Sequence, residues 1–325
     1  MDSPFDTDPV LVEVVRDGLV ESVHHGRVAV TGPDGSLVAS LGDPGALVYP
    51  RSASKPLQAV GMVRAGLDLD GELLALVCAS HSGEPFHLEA AARVLALAGL
   101  DENALQDPPD WPLDEIAKEE LLRTGGRQSR LAMNCSGKHA GMLLTAVQTG
   151  ADPGTYLDPS HPVQRAIEDA LADLTRETPT GPAVDGCGAP LWAVSLTGLA
   201  RAFGRLALGN QQAEDRVASA VRTHPELVSG TRRDELALHR GVPGIVAKAG
   251  AESVYAVGLP DGRGVAIKID DGGTRARPVA MAAVLQRIGL VADVLAAQAS
   301  VPVLGGGQPV GEVRPYAPTL SRIGA

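Results

Sequence analysis

The sequence predicts a mixed α/β chain, α+β in arrangement, with one antiparallel sheet assembled from N- and C-terminal strands, helices on its faces and a helical middle region. Three observations predict it. Short pairs of alternating runs lie towards each end of the chain, each pair is joined by a Pro-Asp-Gly turn, and the apolar spacing between the two pairs becomes helical.

The first pair is Arg27–Thr31 and Ser36–Leu41, joined through Gly32-Pro-Asp-Gly35, where Pro fixes φ and Gly accepts positive φ. A helix starts near Pro50 and runs through Val63, and the apolar run Leu73–Val77 reads as a buried strand. Helical spacing follows over 86–99, 139–149, 162–175 and 189–204, while Gly- and Pro-bearing stretches near 106–113 and 177–190 read as loops. The second pair, Ser253–Leu259 and Gly264–Ile269, turns at Pro260-Asp-Gly-Arg263, and a last long helix is expected over 278–297. With no internal repeat or low-complexity block, residues 1–325 read as a single domain.

Hydrophobic residues make up 44% and charged residues 21%, a globular balance, and with aromatics at 3% the core must come from Ala, Leu and Val. The net charge of −11 argues against nucleic acid or an anionic membrane as partner and favours a small-molecule substrate. The acidic start, MDSPFDTDPV, has no secretion pattern and no apolar stretch reaches bilayer length, so a cytoplasmic protein is expected. Three cysteines in that setting are not a disulfide framework.

Only five of the 28 basic residues are lysines, at 55, 118, 138, 248 and 268, against 23 arginines. Under such a bias a surviving lysine marks a task that arginine cannot perform, and losing a proton is such a task. Lys118, inside the acidic run Asp114–Glu120, reads as a solvated helix face.

Ser52 and Lys55 stand three apart at the start of a helix, on one face, in the Ser-x-x-Lys arrangement where a neutral lysine takes the serine proton and the alkoxide attacks a carbonyl. The helix N-terminus favours a developing oxyanion there. The competing reading makes Ser52 or Ser54 an N-cap and Lys55 a surface charge. Ser80 lies in Cys78-Ala-Ser-His-Ser-Gly-Glu84, where polar groups follow an apolar run, and Lys248 in Val246-Ala-Lys-Ala-Gly250, beside a central strand. Their bland readings are a turn residue and a sheet-edge charge. Penicillin-recognising enzymes pair Ser-x-x-Lys with a late Lys-Thr-Gly; here it is Lys-Ala-Gly, and no Ser-Asp-Asn occurs. Cys135, His139 and Cys187 are soft donors whose spacing matches no familiar zinc signature, and buried structural cysteines are the alternative.

Taken together, Arg51-Ser-Ala-Ser-Lys-Pro56, Cys78-Ala-Ser-His-Ser82, Asn134-Cys-Ser-Gly-Lys-His139, Asp185-Gly-Cys187 and Val246-Ala-Lys-Ala-Gly250 resemble the Rhizobium etli-type, or class 3, L-asparaginases, in order and rough spacing from about residue 10 to near 290. The resemblance implies a serine β-lactamase/penicillin-binding-protein-like fold, homodimers, and two serine-lysine pairs, Ser52 with Lys55 and Ser80 with Lys248. It also implies a zinc ion held by Cys135, Lys138 and Cys187 that shapes the pocket and does not supply the nucleophile. The substrate would be L-asparagine. Arg51 suits its α-carboxylate and Asp185 its α-ammonium, with a structural ion pair as the alternative for each, and His139 either touches substrate or fixes the cysteine loop. The alternatives are another amidase, an esterase or a penicillin-recognising hydrolase on the same fold, and a non-catalytic zinc-binding protein.

Overall fold

The computed structural model describes residues 8–324. Strands β1 (Val10–Arg16), β2 (Leu19–Thr31), β3 (Leu37–Leu41) and β4 (Leu47–Val48) open the chain. The first expected hairpin is β2–β3, with Val28 opposite Leu41. Its turn closes as the residue types dictate: Gly35, at φ +83°, donates to the Gly32 carbonyl at 2.9 Å, and Asp34 accepts from the Ser36 N–H.

A 3₁₀ turn, Arg51–Ser54, runs into helix α1 (Lys55–Ala65), which Gly66 ends in the left-handed conformation. The run Leu73–Val77, expected as a strand, belongs instead to helix α2 (Gly71–Val77). A five-residue apolar run fits either state, and here Leu and Ala, which lose little freedom in a helix, outnumber the single β-branched Val. Helices α3 (Pro85–Leu97), α4 (Glu115–Arg123), α5 (Ser136–Thr149) and α6 (Pro162–Thr175) follow the expected spacing, α4 excepted, which only its acidic run announced. Two further expectations are corrected. The stretch expected as a loop over 177–190 contains strand β5 (Thr180–Val184). The helix expected over 189–204 begins as strand β6 (Pro190–Ser195) and becomes helix α7 (Leu196–Leu208), because Trp192 and Val194 suit a fully buried strand.

Helix α8 (Gln212–Thr223) precedes β7 (Val246–Ala249), β8 (Val254–Gly258) and β9 (Gly264–Ile269), and β8–β9 is the second expected hairpin, turned at Gly262. The long helix expected over 278–297 is two, Ala276–Arg287 and Asp293–Gln298, broken where Gly289 takes φ +96°. Strands β10 (Val301–Gly305) and β11 (Gln308–Pro315) complete the set.

The chain forms two compact units. The first comprises the described residues up to Ala53, Val194–Ala207 and Ala237 onward. It carries the expected sheet from both chain ends, in the order β10-β11-β1-β2-β9-β8-β7 with β3 beside β2, every neighbouring pair antiparallel. Val28, Val30, Val257, Ile267 and Ile269 fill its core against the helix Ala276–Arg287. The second unit, Ser54–Ala193 and Leu208–Leu236, is helical, with α1 packed on α5, α6 and α8, and α5 on α2 and α3. Glycine lets α5 settle close to α2: a Cβ at Gly137 would stand 2.6 Å from the Leu76 carbonyl oxygen, and one at Gly141 2.7 Å from the Val77 methyls. No helix among the described residues is long and apolar enough to cross a membrane.

Candidate active site

The lysines divide by burial. Lys118 pairs with Glu115 on the surface of α4, whereas Lys55, Lys138 and Lys248 are each at most 1% exposed. A buried ammonium costs several kcal/mol unless it is matched by charge or hydrogen bonds, so such lysines need a reason.

In the helical unit the close seating of α5 brings its first turn to the segment that follows α2. Lys55 Nζ donates to the Ala79 carbonyl at 2.7 Å and to Cys135 Sγ at 3.0 Å. Ser80 adjoins that carbonyl, and its hydroxyl donates to Asn134 Oδ1 at 3.2 Å, which also accepts from the Cys135 thiol at 3.3 Å. The Arg233 guanidinium holds the Ser80 carbonyl at 2.6 Å. One buried amine, one hydroxyl and one thiol therefore share a small hydrogen-bonded cluster.

A second cluster adjoins it. Lys138 Nζ donates to Cys187 Sγ at 3.1 Å, and Met133, Cys135, Cys187 and Ala189 pack together. Cys187 is seated by a turn in which Asp185 N–H donates to the Ala189 carbonyl and Gly188, at φ +85°, donates back to Asp185. Contact with Cys135 draws the Cys187 thiol far below its ordinary range against the effect of burial, with Lys138 helping, and Cys135 is pushed up in return. Burial works against the charge of Lys138, but Cys187, Cys135 and Asp185 outweigh it and hold its pKa above the usual lysine range.

His139, on the same turn of α5, is fully buried. Burial first and then the neighbouring Lys138 lower it to about 4, so its ring is neutral. Its Nδ1 lies 2.7 Å from Tyr156 Oη and 4.0 Å from Asp107 Oδ1. Asp107 is also wholly buried, and burial raises it to about 7. Sequence reasoning missed Tyr156, Asp107, Asn134 and Arg233. Asn134 stood inside a quoted motif; the other three carry no local signature.

Among the described residues no group of three or more His, Cys, Asp or Glu side chains converges as a metal site. The donors expected for zinc are two sulfurs and one amine, and Cys135, Lys138 and Cys187 do lie in one buried cluster; this soft set fits a divalent cation of that kind.

In the sheet-bearing unit Ser52 sits on the 3₁₀ turn beside the end of β7. A Cβ at Gly250 would meet the Pro50 carbonyl oxygen at 2.4 Å, the Ala53 nitrogen at 2.9 Å and the Ser52 nitrogen at 3.2 Å. Lys248, two residues earlier, occupies an edge strand yet is fully buried, and its Nζ donates to the Ala249 carbonyl at 2.9 Å. Of the five non-glycine residues with positive φ among those described, Arg51, Glu252 and Ser253 flank these two segments. Such strain persists only where the surroundings impose it, and it collects at functional sites.

The profile of a family described as L-asparaginase II matches residues 12–315. No curated protein matches the sequence. Solved structures with some likeness include a β-lactamase from Mycobacterium bovis, with a TM-score of 0.46 at 15% identity over 82% of this chain and 95% of that one. A Bacillus glutaminase gives a TM-score of 0.32 at 15% identity over 75% of this chain and 83% of that one.

Proposed function

Because this chain belongs to the L-asparaginase II family, we propose that it is an L-asparagine amidohydrolase of the class 3 kind, releasing L-aspartate and ammonia through a serine acyl-enzyme. The observation that carries the mechanism is the buried amine of Lys55, three residues along the chain from Ser52 and shielded from water.

In this reading Ser52 Oγ attacks the side-chain amide carbon and its proton passes to Lys55. The tetrahedral adduct collapses, the amide nitrogen leaves as ammonia with that proton, and a β-aspartyl ester remains on Ser52. Water then adds to the ester carbonyl, the C–O bond to Ser52 breaks, and aspartate departs. Ser80 and Lys248 relay protons or steady the oxyanion. Arg51 faces the substrate α-carboxylate, Asp185 its α-ammonium, and His139 orders the cysteine loop or touches substrate. Cys135, Lys138 and Cys187 would hold a zinc ion whose contribution is to position the substrate. The class 3 resemblance supports a homodimer, which sedimentation would register as twice the chain mass.

The test is ammonia release from L-asparagine and L-glutamine by the wild type, Ser52→Ala and Ser80→Ala. Release from asparagine that both variants abolish supports the reading, while activity surviving in Ser52→Ala moves the nucleophile elsewhere. The two substrates differ by one methylene, worth about 1–3 kcal/mol in a fitted pocket. A preference for glutamine would overturn the substrate assignment and leave the amidohydrolase.

A further inference from the structure

His81 follows Ser80, is wholly buried, and belongs to no step proposed above. Both of its ring nitrogens are engaged. Nδ1 accepts from the Gly83 N–H at 3.2 Å, where the chain turns at φ +78°, and Nε2 lies 2.9 Å from Ser136 Oγ. A backbone N–H can only donate, so Nδ1 is bare and the ring proton sits on Nε2. That proton is given to Ser136, whose own hydroxyl donates onward to the Leu131 carbonyl at 2.9 Å. The donors therefore run one way, from Gly83 through the ring to Leu131. The His87 ring stacks alongside, with centroids 5.1 Å and planes 16° apart.

The ring thereby joins two segments that must stay in register for Ser80. Ser80 Oγ meets Asn134 Oδ1 at 3.2 Å, beyond the roughly 2.5–3.0 Å of a good O–H···O bond, so this contact does not set its own geometry. Its neighbours do. His81 N–H donates to the Asn134 carbonyl at 3.1 Å, and the ring reaches Ser136, two residues further along a turn that closes with Ser136 N–H on the Met133 carbonyl at 2.9 Å. On its other side the Ser80 segment is held by Ser80 N–H on the Val228 carbonyl at 3.1 Å and the Ser82 hydroxyl on the Ser229 carbonyl at 2.8 Å.

We propose that His81 is a positioning residue, which holds the Ser80 hydroxyl on Asn134 by clamping the segment Ser80–Gly83 to the turn Met133–Ser136. The proposal deepens the function above and rests on its placing of Ser80 in the reaction.

The experiment measures ammonia release from L-asparagine by wild type, His81→Asn, Ser136→Ala and the double variant. Beside it stand ¹⁵N ring spectra of histidine-labelled protein, in which the His81 signals are assigned by their loss from His81→Asn. An Asn side chain two residues before Gly83 still accepts from its N–H but falls short of Ser136, and Ser136→Ala removes the acceptor from the other side. Each single variant is expected to lower kcat by about 10²-fold with KM changed less. The double variant is expected to be no slower than the slower single, because both break one link. Losses that multiply, or single variants at wild-type kcat beside an inactive Ser80→Ala, overturn the inference. So does a wild-type ring protonated at Nδ1, which needs no turnover to observe. Ser80→Ala at wild-type kcat overturns the reading of Ser80 itself, and the part of the clamp in the reaction with it.

Discussion

Lys55 Nζ stands 3.0 Å from Cys135 Sγ, so the amine expected to serve a serine on its own helix also belongs to the cysteine cluster. The same amine touches the Ala79 carbonyl beside Ser80. Removing it should therefore disturb proton transfer more than packing. Lys55→Met is expected to lower kcat for asparagine hydrolysis by about 10²–10⁴-fold with the far-ultraviolet spectrum unchanged. Steady-state kinetics check this, and a loss below tenfold excludes Lys55 as the general base.

Gly250 bears on Ser52 through backbone atoms only, which no side-chain rotation can relieve. Gly250→Ala is expected to displace the Ser52 turn and reduce kcat by about 10²-fold, the usual cost of an ångström of misplacement. KM should change less. A variant with wild-type kcat would show that Ser52 tolerates the shift and is not the attacking group.

The seating of α5 on α2 ranks two glycines. A methyl at Gly137 meets the Leu76 carbonyl, whereas one at Gly141 meets the Val77 side chain, which can yield. Gly137→Ala should cost about 1–3 kcal/mol in urea unfolding and Gly141→Ala less. The opposite order would contradict the close approach of the two helices.

The helical unit should weaken in acid. His87 accepts from the Glu84 N–H at Nδ1 and contacts the Glu226 carbonyl through Nε2, and burial lowers it to about 4. The unfolded chain takes up that proton near pH 6.5 and the native ring does not, so stability is full above 6.5 and is lost as pH falls towards 4. The shift corresponds to about 3 kcal/mol. His87→Asn, which keeps an acceptor near the Glu84 N–H, should flatten unfolding midpoints measured across that interval.

The sheet-bearing unit carries the opposite slope. Burial, with the charge of Asp8 added, raises Asp270 to about 6, and Arg27 only partly compensates from its 2.8 Å pair with Asp8. A raised carboxyl holds its proton in the native state after the unfolded chain has released it, so stability falls as pH rises from about 4 through 6. Asp270→Asn should be more stable than the wild type at pH 7.5 and close to it at pH 4. Equal midpoints at both would remove Asp270 as the source.

The hairpins were legible because Pro-Asp-Gly specifies its turn locally, and the sheet from both chain ends followed from their placement. Scarcity drew attention to every lysine but Lys118, and the structure buries Lys55, Lys138 and Lys248. Leu73–Val77 was misread because a short apolar run has no period of its own, and β6 because its single helical-looking stretch with α7 spans a change of state at Ser195. Strands β1, β10 and β11 were not anticipated: Gly and Pro interrupt β10 and β11, and the pairing of β1 with β11 joins opposite ends of the chain, Val12 facing Pro315. Tyr156 and Asp107 matter only through burial beside His139, which no sequence pattern encodes.

The pairing of β2 with β9, in which Val28 faces Ile267, also orders events during synthesis. Most of the helical unit lies in one stretch, Ser54–Ala193, completed by Leu208–Leu236, and so has its parts in hand while the ribosome is still at work. The strands that precede this stretch have no such luck. Their partners β9 and β11 follow it in the chain, so the Val-rich edges of β1 and β2 stay open while it is being made, and at that stage chaperones or a neighbouring nascent chain compete for them.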